Sequence, residues 1–101
     1  MKADFDSEAN ALAIELVDVD RLDDGDGFDE DYCNLGFSKG RLVYIGLLCP
    51  NDNLHLLKAV SESYELDAEE LTALAKAALA APNRAVTVGE RLAPSPVASR
   101  R

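Results

Sequence analysis

The chain has no tryptophan and only one histidine, one methionine and two cysteines among its 101 residues. Each scarcity removes a class of chemistry. With His55 as the lone imidazole there is no Ser-His-Asp order and no HExxH pattern, and its place beside a predicted helix start reads as surface. Zinc usually takes four closely spaced ligands, whereas Cys33, Cys49 and His55 make three soft candidates at wide spacing. Both cysteines lie in apolar surroundings and read as small buried hydrophobes rather than a disulfide. No glycine-rich phosphate loop is present. Asp23–Asp24 and Glu69–Glu70 are adjacent in sequence, and on a helix neighbours do not face each other, so neither is an acid/base pair. Nothing assembles a catalytic constellation, and the expectation is that the chain is not an enzyme.

Positive charge is also scarce. Ten Lys and Arg stand against 19 Asp and Glu, a net charge of −9. Displacing counterions from nucleic-acid phosphates needs clustered basic residues, so nucleic acid is excluded, and anionic membrane surfaces with it. Basic protein partners and plain solubility fit an acidic surface. No apolar run nears the ~20 residues that span a bilayer, and the longest, Leu42 to Cys49, suits a buried strand. Lys2 is followed at once by Asp4, Asp6 and Glu8, so no secretory leader is expected. Reduced thiols then point to the cytoplasm.

What is present is pattern. KADFD and ALAIELV alternate apolar and polar residues, the mark of half-buried strands. Between them DSEAN carries turn formers that bond their own backbone. YCNLGF and RLVYIGLLC form a second hairpin around Lys39-Gly40, where glycine supplies positive φ. With that two-residue turn, paired numbers sum to 79, so Phe37 faces Leu42, Leu35 faces Tyr44 and Cys33 faces Gly46. Cys33, Leu35, Phe37, Leu42, Tyr44 and Leu48 then share one face, and Val43, Ile45 and Leu47 the other.

Residues 53–63 carry Leu56, Leu57 and Val60 at helical spacing, a short helix. Residues 67–81 are a clearer one. Asp67 and Glu70 form a capping box, Leu66 and Leu71 a hydrophobic staple, and Pro82 the stop. RAVTV at 84–88 suits an edge strand. Residues 90–101, with two prolines and three arginines, lose all period and read as a disordered tail to a single domain over 1–89. The expected fold is α+β: a small antiparallel sheet of two hairpins packed against the 67–81 helix.

The stretch RLDDGDGFDEDY at 21–32 holds five aspartates, one glutamate and two glycines, and is read as a solvated loop. Matched against a calcium loop from Asp20, Asp24 and Gly25 fall at positions five and six, but Leu22 takes a ligand position and Asp31 stands where glutamate belongs. A divalent-metal site of another kind, drawn from Asp23, Asp24, Asp26, Asp29 and Asp31, is the alternative function.

FDSEANALAIEL (residues 5–16) and KGRLVYIGLL (residues 39–48) resemble the two signatures of a small bacterial family, domain of unknown function 2283. Its members open on an aromatic–Asp–x–Glu–Ala–Asp–Ala–Leu–x–Ile run and continue with Gly-Arg-Leu-Val and alternating aliphatics. The two segments make up about a fifth of the chain. The resemblance implies a sheet of antiparallel hairpins and supplies no catalytic residues. The acidic stretch and the C-terminal helix and tail depart from the family pattern.

The functional expectation is a small acidic interaction module, self-associating as a homodimer. The strand from Leu42 to Leu48 is apolar on both sides, and a strand of that kind is normally covered on both. A fifteen-residue helix, ~22 Å long at 1.5 Å per residue, covers one face of a small sheet. Val43, Ile45 and Leu47 are then expected to meet a second copy, unless the 53–63 helix folds over them.

Overall fold

A computed structural model describes residues 1–19, 22–29 and 31–87. In the first hairpin, β1 (Lys2–Asp6) pairs antiparallel with β2 (Ala11–Glu15), setting Ala3 opposite Ile14 and Phe5 opposite Leu12. Asp6 builds the turn: its Oδ1 accepts from the N–H groups of Glu8 (3.0 Å) and Ala9 (3.2 Å). Asn10 closes it with φ +52°, a conformation asparagine tolerates better than most residues.

In the second hairpin, β4 (Cys33–Ser38) and β5 (Arg41–Leu48) turn through Lys39 (φ +54°) and Gly40 (φ +76°). Two consecutive positive φ angles are what a type I′ hairpin turn requires. Ser38 faces Arg41 and Phe37 faces Leu42, as the turn predicts. Beyond this the pairing differs. A bulge between Gly36 and Phe37 shifts the register by one, so Leu35 faces Ile45, not Tyr44, and Cys33 faces Leu47, not Gly46. A shift by one exchanges faces, because side chains alternate with period two. Cys33, Leu35, Ile45 and Leu47 thereby join one buried face, while Tyr44 and Gly46 lie on the other.

The acidic stretch is also corrected. It was expected to be a loop, but Asp24–Asp29 is a strand, β3, paired antiparallel with β4 at the sheet edge. Ladder hydrogen bonds belong to the backbone, so an edge strand forms beside a strong neighbour without an apolar period of its own. Asp24 Oδ1 accepts from the Gly25 N–H (2.9 Å), and Asp23 Oδ2 from the Lys39 N–H (2.7 Å). Carboxylates along an exposed edge also discourage pairing with other chains.

After β5 the chain turns at Cys49, which takes φ +46° and leads into a single helical turn, α1 (Pro50–Asn53). The Asn53 amide donates to the carbonyls of Leu48 (3.1 Å) and Cys49 (3.0 Å) and stitches this turn to the strand. The helix expected over 53–63 is α2 (His55–Tyr64), and that expected over 67–81 is α3 (Ala68–Leu79). Asp67 caps α3 as predicted, accepting from the Glu70 N–H at 3.1 Å. A last short strand, β6 (Ala85–Thr87), pairs with β1, its Val86 opposite Ala3. The expected tail at 90–101 lies outside the described residues.

Among the described residues the sheet has six strands in the order β3-β4-β5-β2-β1-β6. It is an α+β fold with both long helices on one face. Leu57 and Val60 of α2 and Leu71, Leu74, Ala75 and Ala78 of α3 join one core with Ile14, Ile45 and Leu47 of the sheet. Ala75 and Ala78 present only methyl groups, so α3 lies close to the strands. Val43, Ile45 and Leu47 are 2%, 0% and 1% exposed, Ile45 and Leu47 within the core shared with the helices and Val43 at the bulge. They were expected to form a subunit interface; the bulge and the second helix remove them from that role. Among the described residues no helix is long and apolar enough to cross a membrane.

Candidate functional site

With both helices on one side, the opposite face of the sheet is open, and its composition follows from the pairing register. One cross-strand row runs Asp4, Ala13, Gly46, Asn34, Gly27 from β1 to β3. Except for its acidic end and Asn34, the row is built of alanine and glycine. It is the floor of a trough. On one side lies the row Lys2, Glu15, Tyr44, Gly36, Gly25; on the other lie Asp6, Ala11 and Leu48, extended by Tyr32, whose carbonyl accepts from the Leu48 N–H at 2.7 Å. Tyr44 on one side and Leu48 with Tyr32 on the other stand beside the small floor residues, and the depression has a volume of about 630 Å³.

Gly46 is the position where the floor needs a missing side chain. Asn34 Oδ1 occupies the space a Cβ there would take, and the Tyr44 hydroxyl would lie 3.1 Å from it. Asn34 and Tyr44 therefore fold over the Gly46 backbone and give an otherwise apolar floor two polar groups. Burial pushes the Tyr44 phenol above its ordinary pKa, and the Glu15 carboxylate adds to the effect. Both causes disfavour the phenolate, so Tyr44 is a neutral hydroxyl at neutral pH.

The rim is acidic. Asp4, Asp6, Glu8 and Asp31 line the trough, and no Lys, Arg or His is among its described lining residues. Lys2, in the flanking row, is held by Glu15, with Nζ 3.8 Å from Oε2. Apolar surface is exposed beside the carboxylates: Leu48 is 47% and Tyr32 42% exposed. The trough's far corner is fixed by Asn83. Its Oδ1 accepts from the Ser7 N–H (3.1 Å), its Nδ2 donates to Ser7 Oγ (3.0 Å), and its own N–H donates to the Phe5 carbonyl (2.7 Å).

Asp23, Asp24, Asp26 and Asp31, weighed as metal ligands, do not gather in this way; the side chain of Asp29 lies outside what the structure describes. Asp23 and Asp24 are engaged with backbone N–H groups at one end of β3, and Asp31 lies past its other end, at the trough. Asp26 sits opposite Leu35, on the other face from Gly25 and Gly27. Among the described residues no group of three His, Cys, Asp or Glu side chains could hold a metal ion. His55 is the exposed first residue of α2, and Cys33 and Cys49 are not joined in a disulfide, the first being buried and the second half-buried.

The reading of residues alone missed Asn34, Tyr44 and Gly46 as a unit, because the unshifted register assigned Tyr44 to the core face. The signal available was the small residue at every second position, Ala11 and Ala13 in one strand and Gly46 in another. Comparison with protein-family models, curated proteins and solved structures finds no match to this chain. The resemblance to family 2283 accordingly rests on its two sequence segments.

Proposed function

We propose that this protein is a non-enzymatic interaction module and that the open face of its sheet is the surface it uses. The observation that carries the reading is the contrast between helix-covered and bare sides of one sheet. Leu48 and Tyr32, joined by the Leu48 N–H to Tyr32 carbonyl bond, remain exposed side by side at one wall of a trough of about 630 Å³. Apolar side chains grouped around a depression and rimmed by polar ones mark interaction sites. A rim of like-charged carboxylates beside exposed apolar side chains supports a binding role.

The reading is tested by placing a photo-cross-linking amino acid at Leu48 in living cells, with Glu62 on the exposed side of α2 as the control position. A discrete adduct from position 48 and none from position 62 is the expected result. An adduct of twice the chain mass makes the partner a second copy. Equal labelling from both positions, or none from position 48, removes the open face from the function.

A further inference from the structure

We infer that the trough across the open face is a docking groove for an extended, arginine- or lysine-bearing segment of another protein. The inference rests on the open face being the interaction surface and adds the chemistry of what it takes.

Direction is the first argument. The floor row Asp4–Ala13–Gly46–Asn34–Gly27 crosses five strands. At ~4.8 Å between strands it is ~19 Å long, the span of about six residues of extended chain. The groove runs across the strands, so a segment lying in it does not extend the sheet. Recognition falls to side chains; Ala13 and Gly27 let a backbone come close, while Asn34 and Tyr44 fill the space above Gly46 and would meet the segment there. Glycine serves the same purpose wherever two backbones must approach.

Charge decides the occupant. Asp4, Asp6, Glu8 and Asp31 line the groove, and the floor adds acceptors in Asn34 Oδ1 and the Tyr44 hydroxyl. Carboxylates are acceptor-only groups, so a good occupant brings donors and positive charge. Tyr32 and Tyr44 line the groove, and aromatic rings are good neighbours for a guanidinium or an alkyl stem. Leu48, beside Tyr32, supplies an apolar contact at one wall. The same carboxylates act against a second copy. A two-fold dimer sets a patch against itself, and would oppose the acidic rim of one chain to that of the other. Like charges across an interface are penalised, and a basic partner is the complement.

The test uses amide-resolved NMR on the full chain with a defined probe: a blocked heptapeptide of alternating arginine and threonine. Saturable shifts are expected at Gly27, Asn34, Gly46 and Leu48, with an affinity that weakens as salt screens the charges. The double variant Asp4→Asn/Glu8→Gln, both exposed positions, should weaken binding ~10-fold, and the matched control Glu62→Gln/Glu69→Gln on the helix side less than ~2-fold. Equal weakening by both pairs overturns the groove and leaves only diffuse attraction to an acidic protein. Spermine binding as tightly as the peptide, at the same amides, overturns the polypeptide occupant. Shifts of these amides on dilution of the protein alone make the occupant a second copy; the open face then survives as the interaction surface and the basic partner falls. No shifts with peptide, together with no cross-link from position 48, removes both.

Discussion

The two faces of this sheet are made by the same strands, and alternate residues meet opposite fates. On β5, Ile45 is wholly buried beneath the helices, while its neighbour Tyr44 reaches the open side toward Glu15. On β2, Leu12 and Ile14 enter the core, and Ala11, Ala13 and Glu15 line the exposed rows. The covered face is filled with branched aliphatics whose burial stabilises the fold by roughly 1.5–3 kcal/mol for each large side chain. Apart from Lys2, Tyr44, Leu48 and Tyr32, the open face is built from residues that contribute little by packing: alanine, glycine, asparagine and carboxylates. A face that adds little to stability yet keeps an ordered register of small residues is free to serve binding.

That contrast is breakable, most severely on the covered side. Ile45→Asp places a carboxylate under the helices with no cation in the core, and should cost on the order of 5 kcal/mol, comparable with the whole stability of a domain this size. Loss of cooperative unfolding and of dispersed NMR signals is the expected observation. A stable, folded Ile45→Asp chain would mean that the helices do not cover this face. Leu74→Ala, on α3 against the sheet, should cost ~2–5 kcal/mol in chemical denaturation, because it opens a cavity among close-packed neighbours.

Smaller effects sharpen the comparison. Asp67→Ala removes the cap of α3 without touching either face, and should cost ~1 kcal/mol. Denaturation midpoints of the Leu74 and Asp67 variants, measured together, separate the packing of α3 from its intrinsic stability. Leu48→Ser on the open face should change stability by no more than ~0.5 kcal/mol, since nearly half of that side chain is already in water. If Leu48→Ser costs as much as Leu74→Ala, the open face is packed against something, and a concentration dependence of its unfolding midpoint would identify that cover as a second copy.

Local patterning made much of this fold legible. Period-two alternation marked β1, β2, β4 and β5, the Lys39-Gly40 pair marked the turn, and Asp67 with Glu70 marked the start of α3. These signals act between residues a few positions apart, so neighbouring residue types specify them. β3 was hidden because its pairing comes from the edge of β4 rather than from its own side chains.

Which residues share a face was not local. Given the turn alone, Leu35 belongs opposite Tyr44; the bulge beside Gly36 sets it opposite Ile45. Nothing in a string of alternating residues says where one will be skipped. That choice is made by which register lets Cys33, Leu35, Ile45 and Leu47 bury together beneath α2 and α3, a gain realised only when the helices are in place. Composition and spacing determined that the chain is acidic and α+β. Tertiary packing decided that both helices take one side, which left Asp4, Ala13, Gly46, Asn34 and Gly27 aligned across the other, because a row of residues from five strands exists only once those strands are paired.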